Sequence, residues 1–220
     1  MNTLDFGIIF KQIEVVLLKI GIMGGTFDPI HNGHIHIALA AYEEYGLDKV
    51  WFMPAGDPYF KAGKGVSSPG TRLEMTELAV SAYPDKFECS DFEIKSEGHT
   101  YTAATLVKLH ELYPDDEFYF IIGYDSLKSL STWYHPEIIF KNAVILCALR
   151  DGSTLSGAES IRDSLTEQFG EADPDIRFIH TPLIDISSTM IREAVRSGED
   201  ISNLVPAQIV KYIETNDIYK

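Results

Sequence analysis

From Lys19 to Asn216 the chain switches repeatedly between short apolar runs and helical periods, and that alternation leaves few folds open to it. "KIGIMGG" (19–25) reads as a strand ending in glycines. "HIHIALAAYEEYG" (34–46) follows as a helix, with Ile35, Ala38, Leu39 and Tyr42 at helical spacing and Gly46 as its stop. "KVWFMPAG" (49–56) is a second strand and "GTRLEMTELAVSAYP" (70–84) a helix closed by Pro84. "KFECSDFEI" (86–94) is β-like, and "TYTAATLVKLHELYP" (100–114) is a helix with Leu106, Leu109 and Tyr113 on one side. "EFYFIIGYD" (117–125) and "NAVILCALR" (142–150) are strong strands. A weaker helix over 157–169, the strand "IRFIH" (176–180) and the helices "SSTMIREAVRSG" (187–198) and "PAQIVKYIETN" (206–216) complete the series. Strands alternating with helices pair in parallel through right-handed crossovers. The expectation is a single α/β domain: a doubly wound, Rossmann-like parallel sheet with helices on both faces.

In such a sheet a ligand lies beyond the strand C-termini, where strand order reverses. "GIMGGTFDPIHNGHIHIA" (21–38) sits at one of those ends. Gly24 and Gly25 lie where the strand must turn and let backbone approach a ligand, which the lack of a Cβ permits. Asn32 is placed to cap the following helix, leaving free backbone N–H groups and a partial positive end facing the crevice. His31 precedes that cap and His34 lies in the first turn, so both imidazoles can reach one anion held there. A helix end alone contributes about 0.3–1 kcal/mol at exposed sites, so added donors are needed. Near the other end of the chain, Ser187 or Ser188 can cap a helix whose Arg192 would face the same crevice.

Other chemistries fail on spacing. "AGKGVS" has Gly65 where a Walker loop needs Ser or Thr after its lysine, and "GIMGGTF" is not a GxGxxG fingerprint. His31, His34 and His36 have no Cys or HExxH partner for a zinc site. The net charge of -15, from 33 acidic against 18 basic residues, opposes nucleic-acid binding. Cys89 and Cys147 form no CxxC and no disulfide framework, which points to a reducing cytoplasm. The apolar N-terminus is interrupted by Lys11, Glu14 and Lys19, short of the roughly 20 residues that span a bilayer. It also lacks the lead and cleavage site of a signal peptide. Residues 1–17 read as an amphipathic extension or the product of an early start codon, and 18–220 as the functional domain. Of two long loops, 55–70 and 150–160, the first follows a strand end directly and reads as a substrate loop.

"GGTFDPIHNGH" (24–34) resembles the His-x-Gly-His signature of the nucleotidylyltransferase superfamily, and "ISSTMIR" (186–192) resembles its second signature. Set about 150 residues apart, the two frame the domain. More narrowly, "GLDKVWFMPA", "TYT", "FYFIIGYDSL", "TWYH" and "ISSTMIREAVRSG" are similar to the bacterial nicotinate-nucleotide adenylyltransferases. That likeness implies ATP and nicotinate mononucleotide as substrates, with Mg²⁺ brought by the ATP and no dedicated metal cage. It implies that His31, His34 and Arg192 are catalytic and contact the ATP phosphates, helped by Ser187 and Ser188. Gly24, Gly25, Thr26 and Phe27 would lie along the ATP, with Gly123 and Asp125 on its ribose. Tyr101, Thr102, Trp133 and Tyr134 would hold the nicotinate ring, and Lys61 and Arg72 the nucleotide phosphate. Self-association is compatible with the sequence. Phe60 replaces a histidine and Ala104 an aspartate that are usual in the family, both on the acceptor side. The rivals are a superfamily member with another phosphorylated acceptor, such as nicotinamide mononucleotide or phosphopantetheine, and a non-catalytic nucleotide sensor.

Overall fold

Six parallel strands, β1 (Lys19–Gly25), β2 (Lys49–Pro54), β3 (Phe87–Cys89), β4 (Glu117–Gly123), β5 (Val144–Ala148) and β6 (Ile176–Ile179), form one sheet in the order β3-β2-β1-β4-β5-β6. The structure is a computed structural model that describes residues 17–56, 66–96, 98–149, 155–181 and 185–220. The expected N-terminal extension therefore lies almost wholly outside the described residues, as do Phe60 and Lys61.

Period-2 alternation sorts the strand side chains between two cores. In β4, Phe118, Phe120 and Ile122 face one side, while Tyr119 and Ile121 face the other. The first side is covered by α3 (Thr102–Leu112), α4 (Tyr124–Ser129), α5 (Pro136–Asn142) and α6 (Leu155–Gln168), through Leu106, Leu127, Ile139 and Leu165. The second is covered by α1 (Asn32–Tyr45), α2 (Pro69–Val80), α7 (Ser188–Ser197) and α8 (Ala207–Thr215), through Ile35, Met75, Ile191 and Ile209. This is the doubly wound arrangement expected from the sequence.

Strand order reverses between β1 and β4, whose carboxyl ends lie side by side. The loop after β1 carries Thr26–His31 and the direct β4–α4 junction carries Gly123–Asp125, so topology puts both at the crevice. Two segments depart from the sequence reading. The β-like run over 86–94 pairs only through Phe87–Cys89 before the backbone turns, and the short helices α4 and α5 appear where no helix was expected.

Candidate active site

The start of α1 is built by its histidines. His31, not Asn32, occupies the N-cap, in extended backbone at φ -144°. Asn32 instead ties the helix start to the segment before α8: its side-chain amide donates to Asn203 O at 3.1 Å and its backbone N–H to Leu204 O at 2.9 Å. The His34 backbone N–H bonds His31 O at 2.9 Å, so two amides expected to be free at this end are already engaged. The imidazoles stack face to face, with ring centroids 3.6 Å apart. His34 Nδ1 accepts the His31 backbone N–H at 3.2 Å, so in the neutral ring the proton sits on Nε2, which becomes the donor. Phe27 is 2% exposed and meets the His34 ring edge-on at 5.0 Å, so its side chain supports the histidine from the core, and a ligand cannot touch it there. A Cβ on Gly25 would stand 2.8 Å from that Phe27 ring, which is why glycine is needed.

The second signature lies against this loop. Ser187 caps α7, its Oγ accepting the Met190 N–H at 3.2 Å. Ser188 Oγ donates to Pro29 O at 2.9 Å, and Arg192 donates to Asp28 O at 2.8 Å and to Thr189 Oγ1 at 3.2 Å. The start of α7 thus bonds the loop that leads into α1, although Asn32 and Ser188 are 156 residues apart. Gly123 and Asp125 begin α4 on the adjoining strand, with Asp125 Oδ1 2.7 Å from Lys128 Nζ.

A cavity of about 780 Å³ opens beside β1, and seven expected residues line it: Gly24, Gly25, Thr26, Tyr101, Thr102, Trp133 and Tyr134. The Tyr101 and Tyr134 rings lie 4.4 Å apart. Trp133 is oriented by an indole N–H bond to Ser129 Oγ at 3.2 Å and by edge contact with Phe120. Its backbone N–H is bonded to Leu130 O at 3.1 Å, so that amide is already engaged within the chain. The stacked histidines, Ser187, Ser188, Arg192, Gly123 and Asp125 do not line this cavity.

Arg72 is a correction. The sequence made it a phosphate contact, yet it is fully buried, and its guanidinium donates to Ser67 O at 3.1 Å, Thr26 O at 2.8 Å and Gly56 O at 3.0 Å. Those bonds place three of its five N–H donors on backbone and hold three segments together, and full burial leaves no exposed face for an anion. Ala104 is exposed on α3 and does not line the cavity, so the departure from the family at that position leaves the cavity wall intact.

Residues 22–194 match the family described as cytidylyltransferase-like. A relative from Dehalococcoides mccartyi, named "Probable nicotinate-nucleotide adenylyltransferase", is 39% identical over 93% of this chain and 98% of its own length. One of the same name from Desulfitobacterium hafniense is 41% identical over 92% of this chain and 96% of its own. The chain belongs to the nicotinate-nucleotide adenylyltransferases of the cytidylyltransferase-like family. Among solved structures, the Plasmodium falciparum nicotinic acid mononucleotide adenylyltransferase complexed with NaAD superposes with a TM-score of 0.75 at 20% identity, covering 92% of this chain and 97% of that one. The fold is therefore shared with that structure at low sequence identity.

Sequence reasoning missed several residues of the wall. Glu93 lines the cavity and accepts Thr105 Oγ1 at 2.8 Å and Thr100 Oγ1 at 3.2 Å. Burial raises its carboxyl above the ordinary range, with the two threonine bonds pulling the other way. His135 also lines the cavity, in left-handed backbone at φ 50°, and its Nδ1 lies 2.7 Å from Glu137 Oε1. Among the described residues no group of three or more His, Cys, Asp or Glu is placed to hold a metal ion, and no helix is long and apolar enough to cross a membrane.

Proposed function

We propose that the chain transfers the adenylyl group of ATP, as its Mg²⁺ complex, to the 5′-phosphate of nicotinate mononucleotide, giving deamido-NAD and pyrophosphate. The observation that carries this reading is the docking of the α7 start on the loop between β1 and α1, Ser188 on Pro29 O and Arg192 on Asp28 O, next to Gly24, Gly25 and Thr26, which enter the aromatic cavity. A triphosphate at that junction and a pyridine nucleotide in that cavity would meet at Thr26.

In the step, an oxygen of the acceptor phosphate forms a bond to the α-phosphorus of ATP. The bond from that phosphorus to the α,β-bridging oxygen breaks, and its electron pair leaves on pyrophosphate. The nucleophile is already anionic at neutral pH, so neither a base nor a covalent intermediate is needed. Catalysis rests on alignment and on stabilising the charge that develops. His34 Nε2–H, the His31 imidazole and Arg192 supply donors to the phosphates, with Ser187 and Ser188 beside them. Gly123 and Asp125 hold the ribose of ATP, since a carboxylate accepts well from hydroxyls. Tyr101, Thr102, Trp133 and Tyr134 hold the nicotinate ring, with Trp133 as its stacking face. Lys61 is the remaining cation for the acceptor phosphate. A cytoplasmic setting fits Cys89 and Cys147, free thiols that burial pushes up to about 12 and so keeps unreactive.

Pyrophosphate release with ATP and, separately, nicotinate mononucleotide, nicotinamide mononucleotide or phosphopantetheine tests the reading. Turnover should be fastest with nicotinate mononucleotide. His34→Ala should lower it about 10²–10³-fold with a smaller change in ATP affinity, as loss of one transition-state donor does. Release with another acceptor alone, or a His34→Ala enzyme within a few-fold of the parent, would overturn it. ATP binding without release for any acceptor would mark a sensor.

A further inference from the structure

Asp28 lies in the middle of the loop between β1 and α1, on which the second signature docks, and it is 2% exposed. Its carboxylate is held from two directions. The Tyr219 hydroxyl donates to Oδ1 at 2.7 Å, and the Ser67 backbone N–H donates to Oδ2 at 3.3 Å. Its backbone carbonyl accepts Arg192, and the next carbonyl, of Pro29, accepts Ser188. One residue thus receives the end of the chain on its side chain and the second signature on its backbone, although Tyr219 is 191 positions away.

The tail that delivers Tyr219 is held in uncommon backbone. Asp217 at φ 50° and Tyr219 at φ 71° both adopt the left-handed region that favours glycine, and the Ile218 N–H between them bonds Ile213 O at 3.1 Å. A terminal segment that merely trailed from α8 would relax out of that shape. Burial, then the bond to Asp28, push the phenol well above its ordinary value, which favours the protonated, donating form.

We infer that Tyr219 is a positioning residue for the phosphate end of the site: its hydroxyl fixes the Asp28 side chain, and through that residue the two carbonyls that orient Arg192 and Ser188. The inference rests on the proposed role of Arg192 and Ser188 as phosphate contacts. Neither Asp28 nor Tyr219 lines the aromatic cavity, so the effect belongs to ATP and not to the acceptor.

Tyr219→Phe in the full chain removes one oxygen and keeps the ring. Calorimetric titration with a non-hydrolysable ATP analogue, in the absence of acceptor, should show binding weakened about tenfold, the loss expected when a hydrogen bond to a charged group is removed. The melting temperature should fall by only a few degrees, the cost of one buried hydrogen bond. Where turnover is followed, KM for ATP should rise and KM for the acceptor should not. Unchanged binding of the analogue would overturn the inference. So would a loss that tracks a lowered melting temperature and strikes both substrates alike, which is what a purely structural tyrosine produces. The analogue binds without an acceptor, so a wrong acceptor in the proposed reaction would appear in turnover and leave this comparison intact.

Discussion

Glu93 accepts hydroxyls from two threonines of one segment, Thr100 before α3 and Thr105 within it, and so fixes the stretch that carries Tyr101 and Thr102 into the cavity. Its burial has a measurable consequence. A carboxyl whose folded pKa is raised binds its proton more tightly in the folded state than in the unfolded chain. From the ordinary value of 4.5 up to the raised one, the folded state holds more protons, so stability is lost as pH rises through that window. Glu93→Gln abolishes the titration and keeps the shape. Urea unfolding of both proteins at mildly acid and at neutral pH should show the difference moving in favour of glutamine as pH rises; a constant difference would mean that Glu93 titrates alike in both states. Nothing in "SDFEIKSEG" distinguishes this residue from its acidic neighbours. What buries it comes from elsewhere: Thr105 on α3, and Gly56, where a Cβ would stand 2.4 Å from the Glu93 carbonyl oxygen. Tyr101 and Trp133, by contrast, were singled out through the family likeness of the short runs "TYT" and "TWYH", and both line the cavity.

Between elements, α2 works as a clamp. Arg72, in its first turn, bonds the carbonyls of Thr26 after β1, Gly56 after β2 and Ser67 before its own helix. A cation at a helix N-terminus is opposed by the helix dipole, so its place there needs another cause, and the three carbonyls supply one. Arg72→Lys keeps the charge but replaces a planar fork with a single point that cannot serve three separated acceptors. The variant should lose at least about 2 kcal/mol of unfolding free energy in denaturant titration, since buried carbonyls are left unsatisfied. A loss within experimental error would show that lysine and water replace the fork without penalty. In the sequence Arg72 resembles any solvated helix arginine, because the acceptors that claim it come from segments on either side of a turn. The same limit explains the missed elements. Helices α4 and α5 span six and seven residues, too few for a 3.6-residue period to declare itself. The longer elements, α1 and β4 among them, announced themselves through patterns their own residues complete.

At the scale of the whole molecule, alternation of strands and helices was enough to foresee a parallel sheet wound both ways, yet it could not state which strands are neighbours. The order β3-β2-β1-β4-β5-β6 decides that, because it brings the loop after β1 beside the start of α4 and leaves α7 to close on it from the other core. One global property acts against the site so assembled. The chain carries a net charge of -15 and is proposed to bind two anionic nucleotides. At a distance the surface carboxylates would repel both nucleotides; at contact the proposed phosphate end would offer His31, only 6% exposed, and an Arg192 held half-buried against Asp28. Salt acts on these unequally. The screening length falls from about 30 Å at 0.01 M to about 10 Å at 0.1 M, which removes the distributed repulsion and touches the shielded contacts much less. The association rate of a fluorescent ATP analogue, followed by stopped flow at constant Mg²⁺, should therefore rise across that range while its dissociation rate stays nearly level. A falling association rate would show that the phosphate end projects a positive field far enough to overcome the mean charge, and the local donors would then be steering the nucleotide as well as holding it.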